Sequence, residues 1–292
     1  MIRRRQGSDF LLIAQHDHAL LSGQLAESFG NDTFAAPSPR DSVITAAAFH
    51  DCGWPLHDES PTLNRENLPL DVFESPRTIA FQVWTASVEG AAKKDPYAGL
   101  LVSLHVLSLS VMATEHAKPG NGYELENPRD RFAIIKFQQR ELERQENLRF
   151  QLGLRSEKTS HHTVAKEKRQ DLEHQLQFNF AVLQVLDQFS LALCCTDTPM
   201  SQTRDIPAAS GAPRIRYSLQ RNHNDLLIHP WPFDKPELSL QIPACRVPAR
   251  QYKDQADFLS QLRGASAEVI NAVVRPAPSP SSHLPAPGKS AG

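Results

Sequence analysis

The sequence predicts a mainly α-helical fold, a helical bundle followed by a small C-terminal α/β annex. Along most of residues 15–198 apolar residues recur at spacings of three and four, which is the period of a helix packed on one face. After residue 199 short apolar runs alternate with Pro and Gly, a pattern typical of strands and turns. We therefore expect four segments: a bundle over 1–198, a linker over 199–214, a β-rich annex with a terminal helix over 215–274, and a disordered tail over 275–292.

The first elements follow from local signals. Residues 1–14 predict a short strand or hairpin around Gly7. A helix follows Asp17, because apolar residues and His18 then share one face, and Gly30 ends it.

A second helix is predicted to begin at Ser38-Pro39, which suits an N-cap followed by proline at the first helical position. It reaches His50-Asp51, and Gly53 supplies the stop. Residues 55–76 predict a loop long enough to be functional. Three more helices complete the predicted bundle, at 97–117, 129–152 and 164–195.

The predicted annex contains three short strands, at 215–219, 225–228 and 238–242. Residues 254–274 are predicted to form one amphipathic helix. Five prolines and no apolar period make residues 275–292 disordered by composition.

Charge and cysteine content exclude several classes of protein. The chain has 31 Lys and Arg against 33 Asp and Glu, so it lacks the basic excess of a nucleic-acid or membrane-surface protein. Four cysteines without a C-x-x-C pair exclude a zinc ribbon and a disulfide scaffold. The apolar run Phe10–Ala14 is too short for a signal peptide. We therefore expect a cytoplasmic protein that binds a small-molecule substrate, with no nucleic-acid or membrane partner.

Four polar residues fall on apolar helical faces, where burial is costly. They are His18, His50, Asp51 and Asp187. Singly, each has a structural explanation: a buried histidine is usually a hydrogen-bonded core residue, and each aspartate can accept from a helix end or an arginine. Together they form two histidines and two aspartates on three helices, without an obvious counter-charge. Imidazole and carboxylate ligands suit Mn, Fe, Co, Ni or Zn, so a divalent metal site is predicted.

The order His18, His50-Asp51 and Asp187 resembles the H…HD…D signature of the HD superfamily. In that superfamily a helical bundle holds one or two divalent metals. The resemblance therefore implies an HD-domain-like helical bundle, with these residues as metal ligands. It also implies a role for His105, on the central helix, as a ligand of a second metal or as a site acid.

A closer resemblance covers the chain to about residue 274. Five stretches are similar to the bacterial family known as domain of unknown function 3891: Gln15-His16-Asp17-His18-Ala19, His50-Asp51-Cys52-Gly53-Trp54, Asp95-Pro96-Tyr97-Ala98-Gly99-Leu100-Leu101-Val102-Ser103-Leu104-His105, Leu186-Asp187-Gln188-Phe189-Ser190-Leu191 and Pro230-Trp231-Pro232-Phe233. The resemblance implies a divergent HD-type bundle with a small β annex and no particular substrate. The Pro230–Phe233 stretch is expected to seal the annex against the bundle.

The leading functional hypothesis is a metal-dependent phosphohydrolase that acts on a small phosphomonoester or nucleotide-like substrate. Asp51 and His105 are the candidate catalytic residues, and Asp51 is placed to bridge two ions. A di-iron oxygenase of HD type and a non-catalytic metal- or ligand-binding module remain as alternatives.

Overall fold

The computed structural model describes residues 1–115, 128–154, 163–195 and 205–278. About half of the structure is helical, and a six-stranded sheet curls into a half-barrel beside the helices. The prediction of a mainly α, HD-domain-like bundle with a small annex is therefore wrong. The sheet is too large to be an annex, because it combines strands from near both ends of the chain.

Helices occupy the middle of the chain. The α-helices in the described residues are α1 (Gln15–Ser28), α2 (Arg40–Phe49), α3 (Pro55–Asp58), α4 (Arg77–Lys94), α5 (Pro96–Glu115), α6 (Pro128–Gln151), α7 (Thr163–Cys194) and α8 (Gln255–Arg263). A single turn of 3₁₀ helix covers Val72–Glu74. Within the described ranges, every helix is too short or too polar to cross a membrane.

The strands pair mainly in one sheet. They are β1 (Ile2–Gln6), β2 (Asp9–Ile13), β3 (Ile206–Pro207), β4 (Arg214–Ile215), β5 (Ser218–Asn222), β6 (Asp225–His229), β7 (Leu238–Pro248) and β8 (Ser266–Pro276). The six-stranded sheet has the order β1-β2-β7-β8-β6-β5, whereas β3 and β4 pair separately. Only the β6–β8 pair of the described sheet is parallel.

The predicted helices that match α1, α2, α5, α6 and α7 are confirmed. Helix α4 was not predicted. Its buried positions include Ser87 and Ala91 beside Val83 and Val88, so its apolar stripe is weak. The predicted loop 55–76 is interrupted by α3 and the 3₁₀ turn.

The predicted N-terminal hairpin is confirmed, with Gly7 at φ +62° in the turn between β1 and β2. Strand β2 also pairs with β7, where Phe10 lies opposite Val247. Leu11 packs into the main core with the helices, and Phe10 packs into a second cluster on the other face of the sheet. Both faces of β2 are therefore buried.

The prediction of one helix over 254–274 is wrong in its second half. Helix α8 ends at Arg263, and β8 begins two residues after Gly264. In β8, Ile270, Ala272 and Val274 are buried at a spacing of two, which is the period of a strand. Its Val and Ile residues favour the extended backbone.

The predicted disordered tail begins too early. Arg275 and Pro276 belong to β8 and pair with β6. Residues 279–292 of that tail, and residues 196–204 around the start of the predicted linker, lie outside the described residues.

The sheet and the helices share one hydrophobic core. The Phe233 ring lies 6.1 Å from that of Phe29 at the end of α1 and 6.2 Å from that of Phe189 on α7. Phe233 and Trp231 contact each other edge to face. The Pro230–Phe233 stretch thus seals the sheet against the helices, as predicted.

Two arginines of the sheet hold the end of α7. Arg4 on β1 donates to the carbonyl of Leu193 at 3.2 Å. Arg221 on β5 donates to the carbonyls of Ala192 and Cys195. Cations at a helix C-terminus satisfy its free carbonyls and complement its dipole. The sheet therefore fixes the helix that carries Asp187.

Candidate metal centre

Five predicted site residues come from four parts of the helical region and meet in one buried cluster. His18 lies in the first turn of α1, and His50-Asp51 directly follow α2. His105 and Asp187 lie on α5 and α7. Each of the five is less than a tenth exposed. The structure thus brings together every residue that the sequence proposed as a ligand.

The turn after α2 packs closely against α4. The Gly53 amide donates to Oγ of Ser87 at 2.9 Å. A Cβ at Gly53 would collide with the carbonyl oxygen of Val83 and lie 2.8 Å from the amide nitrogen of Ser87. Glycine at this position therefore lets the His50-Asp51 turn lie directly on the next helix.

The donor atoms have the separations expected around one ion. At bond lengths of about 2.1 Å, two ligands lie about 3.0 Å apart for a 90° bond angle and about 4.2 Å apart for 180°. Oδ2 of Asp51 lies 3.0 Å from Nε2 of His18 and 3.8 Å from Nε2 of His50. Oδ1 of Asp187 lies 3.4 Å from Nε2 of His50 and 3.9 Å from Nε2 of His18. All four distances fall in the range for one ion.

Hydrogen bonds at the far side of the rings set the tautomers of His18 and His50. Nδ1 of His50 lies 2.8 Å from the carbonyl oxygen of Ala47, which can only accept, so Nδ1 carries the proton. Oγ of Ser190 donates to the carbonyl of Asp187 at 2.8 Å, so its lone pairs accept from Nδ1 of His18 at 2.8 Å. Both rings therefore present Nε2 to the carboxylates. A neutral Nε2 has only a lone pair to offer there, which a cation between the groups would satisfy.

His50 shows this need for a cation most clearly. In the described structure its buried Nε2 has no hydrogen-bond partner. Burial alone would lower the pKa of His50, but the adjacent carboxylates of Asp51 and Asp187 raise it to about 9. Burial likewise opposes ionisation of both aspartates, yet the neighbouring histidines hold their pKa values below the usual range. Without a metal, the cluster therefore binds a proton on His50, and this proton supplies the positive charge that a metal ion would otherwise bring.

The five residues form two overlapping groups of three, each with its donor atoms within 4.8 Å of one another. The groups are His18, His50 and Asp51, and His50, His105 and Asp187. Nε2 of His105 lies 3.6 Å from Oδ2 of Asp187. Because Nδ1 of His50 is committed to Ala47, His50 can bind only one ion through Nε2. The geometry thus fits one ion with up to five protein ligands better than two complete three-residue sites.

Gln15 was not predicted from the sequence as a site residue, although it forms a hydrogen bond with Asp51. Nε2 of Gln15 donates to Oδ2 of Asp51 at 2.9 Å. The Gln15 backbone amide donates to Oδ2 of Asp58 at 2.7 Å, which holds the start of α1. Oε1 of Gln15 is buried without a hydrogen-bond partner among the described residues, so it is available to accept from a water or a substrate group beside Asp51. Its position three residues before His18, on the same helical face, was the available signal.

Ser190 was also missed, although it lies three residues after Asp187 on one face of α7. Its Oγ contacts Nδ1 of His18, accepts from Ser22 at 2.9 Å and donates to the Asp187 carbonyl. Ser190 therefore joins two helices that carry ligands, α1 and α7.

The carboxylates are the most accessible part of the cluster. The side chains of Asp51 and Asp187 are 8% and 12% exposed, whereas those of His18 and His50 are each 1% exposed. A ligand from solvent would therefore approach from the carboxylate side.

Replacing Gln15 with leucine should weaken metal binding by about 10- to 100-fold, the usual cost of removing a hydrogen bond that orients a ligand. Competition with a chromophoric chelator would measure the affinity. Gln82→Leu on the exposed face of α4 is the control and should leave it unchanged. Equal affinity for Gln15→Leu and the wild type would show that Gln15 does not position Asp51.

Comparison with known proteins places the chain in a family. No curated protein and no solved structure matches it. The profile of a family described as "Protein of unknown function (DUF3891)" matches residues 1–249, which contain all five cluster residues and the sheet up to β7. The chain therefore belongs to the DUF3891 family.

Proposed function

We propose that this protein is a metal-dependent phosphohydrolase that acts on a small phosphomonoester or nucleotide-like substrate. The observation that carries the proposal is the buried cluster of three histidines and two aspartates, with four donor distances of 3.0–3.9 Å. The described polar contacts of the Asp51 and Asp187 carboxylates are with histidines and Gln15, so a cation would balance their charges.

The ligand order along the chain supports phosphoester chemistry. His18, His50-Asp51 and Asp187 follow the order of the HD signature, and phosphate ester hydrolysis is the commoner chemistry of that superfamily. We propose an HD-type ligand set on this fold, with Mn, Fe, Co, Ni or Zn as the metal. A divalent ion there would lower the pKa of a water and screen the charge of phosphoryl oxygens.

The residues around the ligands would orient the reacting groups. Gln15 holds Oδ2 of Asp51 through Nε2, and its buried Oε1 would accept a hydrogen bond from the attacking water. Asp51, among the more exposed cluster residues, would face the substrate. His105, 3.6 Å from Asp187, would either complete the ligand set or hold a proton for the leaving group.

The second group of three residues favours an alternative function with two ions. If His105 and Asp187 bound a second iron, the cluster would have the two metal positions that a di-iron oxygenase needs. The single available nitrogen of His50 argues against two complete sites, and we therefore favour the hydrolase.

The test is to purify the protein free of metal, restore each candidate metal separately, and measure phosphate release and oxygen consumption. We expect about one ion per chain and oxygen-independent phosphate release from a phosphomonoester panel. Asp51→Asn should abolish this release, and Asp234→Asn on the exposed surface is the control. The oxygenase would be established instead if the protein held two irons per chain and consumed oxygen, and if His105→Ala lost one of the two irons. Metal binding without turnover would leave a metal-binding module. Failure to bind any metal would exclude both enzymes and leave only a module that binds another ligand.

A further inference from the structure

Residues 55–76, predicted from their length to be a functional loop, contain a buried carboxylate outside the ligand cluster. It belongs to Asp58, the last residue of α3, which is 8% exposed. Both of its oxygens accept hydrogen bonds from main-chain nitrogens. Oδ2 accepts from the amide of Gln15 at 2.7 Å, and Oδ1 accepts from the amino group of Met1 at 2.6 Å. A carboxylate is costly to bury, and these two bonds offset that cost.

The bond to Gln15 caps helix α1 from another part of the chain. The N-cap residue of α1 is Ala14, whose methyl group cannot accept a hydrogen bond. The first amides of a helix need an acceptor from elsewhere, and a negative charge beside them complements the helix dipole. Asp58 supplies both. Because Gln15 begins α1 and His18 lies in its first turn, this cap fixes the two side chains that α1 contributes to the site.

Asp58 is itself connected to Asp51 through the main chain. The Trp54 amide donates to the carbonyl of Asp51 at 3.1 Å, and the Asp58 amide donates to the carbonyl of Trp54 at 2.8 Å. The side chain of Gln15 in turn donates to Oδ2 of Asp51. Four hydrogen bonds thus form a closed ring that joins the start of α1 to the segment carrying Asp51.

We propose that Asp58 is a positioning residue of the metal centre, and this role rests on the metal-dependent function proposed above. Asp58 holds His18 and Gln15 in place relative to Asp51 without binding the metal itself. The outer hydrogen-bond partners of metal ligands orient those ligands and raise the affinity for the metal. Asp58 belongs to this class, one hydrogen bond further out than Gln15.

A second carboxylate of the same segment provides a matched control. Oδ2 of Asp71 accepts from the amide of Arg3 at 2.8 Å, and its Oδ1 accepts from the amide of Phe73 at 3.0 Å. Asp71 therefore also holds the N-terminal strand β1 through a main-chain amide. Its bonds lead to β1 and to its own segment, whereas those of Asp58 lead to α1.

Competition between the full chain and a chromophoric chelator for Zn²⁺ tests the role. Asp58→Ala should weaken Zn²⁺ binding by about tenfold, the lower end of the cost of losing a group that orients a ligand. Asp71→Ala should leave the affinity unchanged, although urea unfolding should show a loss of stability in both variants, because each loses hydrogen bonds to main-chain nitrogens. Unchanged affinity in Asp58→Ala, or an equal loss in both variants, would overturn the positioning role. A wild type that binds none of the candidate metals would instead overturn the proposed function, and this role with it.

A cap built into α1 separates the effect of position from that of charge. Removing Asp58 also removes a negative charge, which by itself lowers the attraction for a cation. Ala14→Ser places a neutral acceptor at the N-cap, where serine binds amides of the first turn. The double variant Asp58→Ala/Ala14→Ser should therefore bind Zn²⁺ about threefold more tightly than Asp58→Ala. If Ala14→Ser restored nothing, the loss would come from the charge and Asp58 would not position α1.

Circular dichroism checks that each variant folds. If Asp58→Ala does not fold, Asp58→Asn takes its place, because asparagine keeps the shape of the side chain and one acceptor oxygen. The same comparison with Asp71→Asn and the same Ala14→Ser rescue then apply.

Discussion

Replacing Asp187 with asparagine should weaken metal binding by more than about 100-fold and abolish the proposed phosphatase activity. Within the described structure Asp187 contacts all three histidines: Oδ1 faces His18 and His50, and Oδ2 faces His105. Losing a group that merely orients a ligand already costs about 10- to 100-fold in affinity. Losing the carboxylate shared by three imidazoles should cost more.

Asparagine is the appropriate change because it keeps the shape of the side chain, removes its charge and replaces one carboxylate oxygen with an NH2 group. Metal content after dialysis against one equivalent of metal, and titration with a competing chelator, would give the affinity. Asp234→Asn on the surface is the matched control. If Asp187→Asn retained wild-type affinity while folding normally, the cluster would not be a metal centre, because its most connected carboxylate would be dispensable.

The metal-free protein should lose stability as the pH rises from 6.5 to 8.5. The pKa of His50 is about 9 in the folded chain and near its ordinary value of 6.5 in the unfolded chain. In this window the native state holds a proton that the unfolded state has released, so stability falls with increasing pH. The loss across the full interval up to pH 9 is on the order of 3 kcal/mol.

Metal should reverse this trend. A bound ion needs the lone pair on Nε2 of His50, so binding releases the proton, and the apparent affinity should rise about tenfold per pH unit up to about pH 9. Stabilisation by the ion grows accordingly. Near pH 8.5 the metal-free protein would thus be least stable, and at the same pH the bound ion would add most to the stability.

Urea unfolding at several pH values, with and without metal, would measure both effects. The pH range stops at 8.5 because of two buried thiols. Burial raises the pKa of the Cys194 thiol and raises that of Cys195 to about 12. Above pH 8.5 these thiols ionise only in the unfolded chain, which would lower the stability for a second reason. His50→Gln should flatten the metal-free profile, whereas His174→Gln at an exposed site on α7 should not. A flat wild-type profile would show that His50 holds no extra proton.

The ligands could be proposed from the sequence because charged and imidazole groups are costly on apolar helical faces. Asp187 stands out for this reason on the stripe of α7, and the structure places it beside the His50-Asp51 pair. Gln15 and Ser190 are neutral, so their burial costs less than that of a charged group and gives a weaker signal. Their roles depend on which helices lie side by side, which spacing along one helix does not specify.

The fold was predictable only where the spacing of apolar residues along the sequence determines the secondary structure. Helices α1, α2, α5, α6 and α7 were predicted, whereas α4, whose buried positions include Ser87 and Ala91, was not. The main error concerned the sheet, because residues 254–274 carry a helical signal up to Arg263 and a strand signal afterwards. The pairing of β2 with β7 joins residues more than two hundred positions apart, and no local pattern reports it.

That pairing has a consequence for synthesis on the ribosome. Leu12 meets its partner Cys245 across the sheet only after 233 further residues have been made. At about 5–20 residues per second this takes roughly 12 to 50 seconds, during which one edge of the nascent β1–β2 hairpin lacks its neighbour. An unpaired strand edge is a template for pairing with other chains. The open hairpin is therefore one part of the nascent chain that needs protection from aggregation.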